Sequence, residues 1–206
     1  MNDKLLANVR LNFARVVYSM NCHYFAYNRL QKTKKHISRF VIMLASVTLI
    51  LLISQIISLQ LNIITHENRQ TSEIILSIIS FVGLLLTGAS IVFQLVVKDD
   101  FMLEMFNHKM YVEKYKSLRD EHINLVQEIM SNSTTGIQLI VDKEIDLQKR
   151  YFNMRESAPI LSPEDDNLAD ERLGLNKKQA TWSDDEIDKL LPEQYRILHD
   201  KKTIGQ

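Results

Sequence analysis

The residues that could do chemistry are few, and their spacing does not favour catalysis or metal binding. No two histidines have the HxxxH or HExxH spacing of a helical zinc site, because the six lie at positions 23, 36, 66, 108, 122 and 199. The five glycines form no phosphate-binding loop, and the single Cys22 excludes both a disulfide framework and a cysteine-based zinc site. The sequence therefore predicts no catalytic residue, no metal site and no cofactor, and so a protein that is not an enzyme.

Three local patterns could each indicate a functional site, but each also has an ordinary structural explanation, which is favoured in every case. Glu104 and His108 could supply two metal ligands, but this spacing is also that of a surface pair on a helix. Cys22 is more typical of a core thiol than of a nucleophile. Asp99 and Asp100 could attract cations to a pore mouth, or they could simply end an apolar segment.

Polar residues do recur at helical spacing within two uncharged segments, 40–64 and 74–97. In the second segment they step by three and four: Ser77, Ser80, Gly83, Thr87, Ser90 and Gln94. In the first segment they step by seven, three and four: Thr48, Gln55, Ser58 and Asn62. Each set falls on one helix face. Such a face either packs helices together inside a membrane or lines a water-filled pore, and the residues taken alone favour packing.

The two uncharged segments have the length and composition of membrane spans. Segment 40–64 has 25 residues, of which 18 are apolar, and segment 74–97 has 24, of which 17 are apolar. A helix of 25 residues is about 37 Å long, which exceeds a hydrocarbon core of about 30 Å. The loop 65–73 is too short to cross back, so we expect an antiparallel transmembrane hairpin.

The charge distribution predicts how this hairpin is oriented. The whole chain is neutral, which argues against bulk nucleic-acid binding. Segment 1–39, however, has eight basic residues against one acidic, and segment 98–206 has 16 basic against 22 acidic. By the positive-inside rule the basic flank lies in the cytoplasm. We therefore expect a multi-pass membrane protein with both termini cytoplasmic and the loop 65–73 outside.

Two apolar stripes flank the hairpin and predict long amphipathic helices on the cytoplasmic side. The first lies in the N-terminal region 1–39, at Leu6, Val9, Phe13, Val16, Met20, Tyr24, Tyr27 and Leu30. The second begins the region 98–155, at Phe101, Met105, Tyr111, Tyr115, Leu118, His122, Leu125 and Ile129. Steps of three and four are helical, and the two stripes can bury each other in a bundle. Helices lying on the lipid surface are the weaker reading, because anionic lipid would repel acidic residues along the second stripe, such as Glu104, Glu113 and Asp120.

Local signals predict shorter helices after the second stripe. A turn at 131–136 precedes a helix over 137–155. In the acidic tail 156–206, Ser162 and Ser183 each stand before acidic residues as helix caps. We expect this tail to be a partly ordered appendage. The predicted fold is thus an all-α membrane protein: a two-span hairpin, a cytoplasmic helical bundle and short C-terminal helices.

The arrangement and two short motifs resemble a known family. The elements YNRL at 27–30 and HKMYVEKYKSLRDEH at 108–122 flank the hairpin. They are similar to the SLATT family, the two-transmembrane effectors that associate with SMODS and SLOG domains. The resemblance covers roughly residues 5–155, and its matching residues are Asn28, Arg29, Leu30, His108, Tyr115, Leu118 and Arg119.

The resemblance implies a function that composition alone does not. SLATT proteins are regarded as pore-forming effectors of antiphage systems, in which a partner senses infection and the effector then breaches the inner membrane. Some accompany nucleotide-signal synthases, and others accompany reverse transcriptases of retrons. For this chain it implies a homo-oligomeric, toxin-like effector of abortive infection that needs a cytoplasmic sensor partner and does not itself read nucleic-acid sequence. The alternative is a membrane-anchored helical adaptor without pore activity.

Overall fold

The computed structural model describes residues 2–64, 69–131, 136–175 and 182–196, and within them leaves out the side chains of 2, 58–64, 69–73, 75–76 and 93–100. Every regular element in the described residues is a helix. The helices are α1 (Asn2–Ile64), α2 (Arg69–Met130), α3 (Ile137–Ser157), α4 (Pro163–Leu173) and α5 (Asp184–Leu190), followed by a 3₁₀ turn at Glu193–Tyr195. The predicted all-α fold class is confirmed.

Helices α1 and α2 are long because nothing in their sequences stops them. Each has more than 60 residues, and neither contains a proline. The amphipathic helix predicted within region 1–39 and the apolar segment 40–64 are therefore one helix, α1. The apolar segment 74–97 and the stripe over 98–130 likewise form one helix, α2.

The C-terminal helices begin at the predicted caps. Ser162 caps α4 by accepting a hydrogen bond from the Asp165 amide, and Gly174 ends the helix with a left-handed φ of 64°. Ser183 caps α5 in the same way through the Glu186 amide. Both capping boxes are complete, so local chemistry alone fixes where these helices start.

The described residues form two compact units. One unit, which we call the bundle, comprises Met1–Arg29 and Glu104–Gln206, and the other, the apolar pair, comprises Leu30–Leu103. The main core of the bundle is built by α1, α2 and α3, and its buried residues are Val9, Val16, Tyr111, Tyr115, Leu118, Leu125, Val126, Ile129, Ile140, Leu147 and Tyr151. A second cluster joins α1 to α5 through Phe13, Ala14, Val17, Ile187 and Leu191.

Most of the two predicted apolar stripes are buried. In α2, all six stripe residues from Tyr111 to Ile129 are buried, and in α1 the same holds for Val9, Phe13, Val16 and Leu30. Tyr24 is the clearest departure, because it is 39% exposed. Its ring instead faces the Arg172 guanidinium of α4 at 5.2 Å, a cation–π contact that periodicity does not reveal.

The tail differs from the partly ordered appendage that its polar composition suggests. Over the described residues 156–175 and 182–196, its helices pack into the bundle. Ala169 of α4 is fully buried, and Leu191, at the end of α5, is 1% exposed. The reason is that both helices place acidic side chains against arginines of α1, as described below.

The apolar pair has the surface of a segment that faces lipid. Most of its described large apolar side chains are exposed, with Ile50 at 65% and Leu84 at 73%. Among the described residues, one helix, Asp3–Ile57, is long and apolar enough to cross a membrane, and a shorter apolar helix covers Ser77–Val92. The remainder of the predicted second span falls on side chains outside the described set, so the two-span hairpin stays a prediction.

The main core generates a first prediction. Leu118 is fully buried, so Leu118→Ala should lower the free energy of unfolding by about 2–5 kcal/mol through lost burial and a cavity. The matched control is Leu139→Ala in α3, where the side chain is 53% exposed and the expected change is within about 0.5 kcal/mol. Urea unfolding followed by circular dichroism checks both, and equal losses would contradict this core assignment.

Candidate regulatory site: four polar pairs along the first helix

Helix α1 places four polar side chains in the bundle, and each one hydrogen-bonds to a different helix. The pairs are His23 with His108 of α2, Asn12 with Glu144 of α3, Arg29 with Asp165 of α4, and Arg10 with Asp188 of α5. In every pair at least one side chain is buried. Because a buried polar group without a partner is costly, each pair fixes one helix in register against α1.

The pair between Arg29 and Asp165 is joined by two hydrogen bonds. The Arg29 guanidinium donates from Nε and Nη2 to the two carboxylate oxygens at 3.0 and 2.9 Å, a bidentate arrangement. Asp165 is fully buried and also accepts from the Ser162 amide and hydroxyl at 3.1 and 2.7 Å. Burial alone would raise the pKa of Asp165, but these hydrogen bonds outweigh it and lower the pKa. One carboxylate therefore both caps α4 and ties it to α1.

His23 and His108 form a buried, neutral pair. Their Nδ1 atoms are 2.9 Å apart, and the residues are 2% and 0% exposed. The His23 ring also stacks on Tyr115, with centroids 5.6 Å apart. Burial, and then the neighbouring His108, lower the pKa of His23 from 6.5 to about 4, although Asp165 acts in the opposite direction. Burial also lowers the pKa of His108.

The hydrogen bond of this pair needs one Nδ1 to donate and the other to accept. His108 Nε2 is buried without a hydrogen-bond partner among the described residues, and the Glu104 carboxylate lies 4.0 Å from it. That carboxylate favours a proton on His108 Nε2, which leaves His108 Nδ1 as the acceptor from His23. Two imidazolium rings would bring two Nδ1 hydrogens together, so the contact forms only while the pair is not fully protonated.

The two remaining pairs are also buried, and each leaves one buried polar atom without a hydrogen-bond partner among the described residues. Arg10 and Asp188 are 2% and 4% exposed, and the Arg10 Nε has no hydrogen-bond partner among the described residues. Asn12 Nδ2 donates to one oxygen of Glu144, and the other oxygen is buried without a hydrogen-bond partner there. Burial raises the pKa of Glu144. Such incompletely satisfied groups make these contacts costly to keep buried.

The structure brings together several of the family-motif residues. Arg29 and His108 each form one of the four pairs, and Tyr115 and Leu118 lie in the main core. Asn28, through its hydrogen bond with Tyr24, and Leu30, which is 3% exposed, belong to the same stretch of α1. Arg119 instead pairs with its neighbour Asp120 on the surface.

Sequence reasoning missed the partners of these residues. His23, Asp165 and Asp188 were not singled out, because their partners are 85, 136 and 178 residues away. One sequence feature could have identified two of them. Asp165 and Asp188 are acidic residues in short capped helices of an otherwise polar tail. Glu104 lies 4.0 Å from His108 as their i,i+4 spacing allows, but His108 is buried against His23 rather than exposed, so the expected surface pair is wrong for the histidine. Among the described residues no three potential ligands cluster as a metal site.

Among the described side chains, the polar faces of the apolar pair contact each other through Gln55 and Ser80. Gln55 Nε2 donates to the Ser80 hydroxyl at 2.7 Å and so joins α1 to α2, which is the packing use of such residues. Thr48 and Thr87 donate to carbonyls of their own helices, those of Leu44 and Gly83. Ser77 is exposed, Ser90 is half-buried and Gly83 is buried, whereas Ser58, Asn62 and Gln94 have side chains outside the described set.

A known protein family matches most of the chain. The family described as SMODS and SLOG-associating 2TM effector domain family 4, SLATT_4, matches residues 5–186. The chain belongs to the SLATT family. The match reaches beyond the resemblance over 5–155 and includes α4 and the start of α5. The helices tied to α1 by Asp165 and Asp188 are therefore covered wholly or in part by the SLATT domain.

Membership in the SLATT family suggests a defence-associated effector role. Together with the long apolar helix, it also suggests a membrane protein. Searches of curated proteins and of solved structures found no match to the chain.

The histidine pair predicts how the stability of the SLATT bundle depends on pH. His23 has a lower pKa folded than unfolded, so the unfolded chain binds more protons between pH 6.5 and about 4. The stabilising contribution of His23 is therefore present above pH 6.5 and is lost as the pH falls towards about 4. Over that window the free energy of unfolding should fall by on the order of 3 kcal/mol from His23 alone. Thermal unfolding measured from pH 7.5 to pH 4.5 checks this.

The matched variants for this experiment are His23→Gln and His36→Gln. His36 is exposed, so its substitution should leave the pH dependence unchanged. His23→Gln should flatten the dependence without abolishing it, because burial also lowers the pKa of His108 and His122. A pH dependence that is the same in wild type and in His23→Gln would contradict the assignment of His23 as a titrating group.

Proposed function

We propose that the chain is a non-enzymatic effector of a bacterial antiphage system, which oligomerises in the inner membrane and permeabilises it when a partner activates it. The observation that carries this proposal is the SLATT_4 match, which spans both the bundle and the apolar pair. The outcome for the infected cell would be abortive infection, with the chain acting as the toxin.

The apolar pair would be the part that acts on the bilayer. Its segments 40–64 and 74–97 contain no charged residue, and its large apolar side chains are exposed. In this proposal they form a two-span hairpin with both termini in the cytoplasm, as the basic flank of 1–39 favours. The bundle then lies on the cytoplasmic side, where a sensor can reach it.

A pore would require several copies of the chain, since one hairpin cannot enclose a channel. The contact between Gln55 and Ser80 occupies one position of the polar faces, and Thr87 and Ser90 remain on the same face of α2. Hydroxyl side chains on that face can either meet a second copy or line a water-filled path. A homo-oligomer is therefore part of the proposal.

The activating partner would be a separate cytoplasmic sensor. The family description associates its members with SMODS and SLOG domains. For this chain, a system that produces a nucleotide signal and a reverse transcriptase with its RNA and DNA are both compatible partners. The neighbouring genes decide between them: a nucleotidyltransferase supports the first system and a reverse transcriptase the second.

The pore proposal predicts the effect of replacing hydroxyl side chains on the polar face of α2 with apolar ones. Thr87→Leu with Ser90→Leu should reduce the loss of membrane potential on induced expression, because two hydroxyls are replaced by bulky apolar groups. The matched control is Ile91→Leu with Val92→Leu, which adds two leucines at neighbouring exposed apolar positions. A potential-sensitive dye measures the effect at equal protein levels, and unchanged depolarisation in the first variant would count against these residues.

The membrane-anchored adaptor is the second candidate, and the Gln55–Ser80 packing contact is the observation that favours it. An adaptor would use the polar faces only to hold its helices together. Dye-filled liposomes separate the two functions, because a pore-forming effector releases the dye and an adaptor leaves it trapped. Retention of dye by liposomes shown to contain the inserted chain would favour the adaptor.

A further inference from the structure

The segment 182–196, which we call the strap, covers one face of α1. Ile187 and Leu191 pack there against Phe13, Ala14 and Val17. At the start of the strap, the ring of Trp182 lies against that of Tyr18, with centroids 5.4 Å apart. The Arg10–Asp188 ion pair lies in the same contact. The strap thus occupies a defined docking surface that begins at Arg10 and runs along α1, with Ile123 of α2 and Leu173 of α4 packed at its edge.

The strap is separable from the main core of the bundle. None of the buried residues of that core belongs to the strap, and Tyr195, which is only partly buried, contacts its edge. The α1–α2–α3 core would therefore keep its buried contacts if the strap were displaced. Helix α5 has only seven residues, too few to be stable by itself, so it stays helical only while it is docked on a surface.

The docking surface selects its occupant by charge as well as by shape. Arg10 is buried in the contact, and any segment that covers it must offer a carboxylate beside aliphatic side chains. The strap has this chemistry in Asp188, flanked by Ile187 and Leu191. Every copy of the chain therefore carries both the surface and the segment that fits it.

We propose that the strap is exchanged between copies, so that the strap of one chain docks on α1 of a second copy in the oligomer. The contact between two copies would be the same as the contact within one chain, so exchange would join the copies without requiring a new interface. Reciprocal exchange closes a dimer, and exchange in one direction builds a ring. This inference rests on the homo-oligomer of the proposed function, and it names the surface that joins the copies.

Charge reversal tests the exchange. Arg10→Asp places a carboxylate against Asp188, and Asp188→Arg places a guanidinium against Arg10, so each chain repels its own strap. Breaking a buried ion pair should shift the ratio of docked to displaced strap by about a hundredfold or more. Between the two variants, however, each strap matches the other chain's α1. Co-expressed with different tags, the two chains should restore docking by exchange.

Two readouts follow the strap and the association separately. Trp182 is the only tryptophan of the chain, so its fluorescence reports on the strap alone. Each single variant should show red-shifted emission and stronger quenching by acrylamide than the wild type. The mixture should return to the wild-type signal, and the two tags should copurify. The double variant Arg10→Asp with Asp188→Arg should restore docking within one chain and shows that the surface still folds.

The control variant is Asp185→Arg, which makes the same charge change at an exposed position of α5. It should leave the Trp182 signal at the wild-type level and should not rescue Arg10→Asp. The exchange is overturned if the mixture keeps the displaced signal while the double variant restores docking. It is also overturned if the single variants leave Trp182 docked.

Failure of the proposed function gives a different result. If the mixture restores docking and copurifies but never depolarises a membrane, permeabilisation is wrong and the exchange stands. If wild-type protein depolarises membranes and the mixture shows no exchange, permeabilisation stands and the copies are joined elsewhere.

Discussion

The burial of polar side chains on α1 is the constraint on which the bundle depends. Arg10, Asn12 and His23 leave water when the bundle forms, as does Asp165, the partner of Arg29, and each then needs a partner from another helix. Because the four partners come from four different helices, α1 acts as the template against which the rest of the bundle is placed. The apolar clusters supply burial, and the polar pairs select the register.

Much of the fold follows from local sequence signals, whereas the site does not. The stripes through Val9 and Leu118 identify the buried faces of α1 and α2, and Ser162 and Ser183 mark the starts of α4 and α5. Periodicity shows which face of a helix is buried but not which residue of a distant helix meets it. The Arg10–Asp188 pair joins residues that are 178 positions apart, so the polar composition of the tail does not reveal that it packs into the bundle.

Helices α1 and α2 each contribute to both units, and the residues that they carry differ between the two units. In the apolar pair they carry uncharged segments, 40–64 and 74–97, with large exposed side chains. In the bundle they carry charged surfaces and buried polar pairs. Membership in the SLATT family, described as a two-transmembrane effector family, agrees with this division into an apolar part and a charged helical part.

Hydrogen–deuterium exchange on the full chain tests most directly whether α1 holds each helix by its own pair. The two variants to compare with the wild type are Asp165→Asn and Asp188→Asn. The first should speed exchange in α4 (Pro163–Leu173) and the second in α5 (Asp184–Leu190), while the amides of α3 keep their protection in both. Equal loss of protection throughout the bundle in both variants, or no change in either, would contradict the template role of α1.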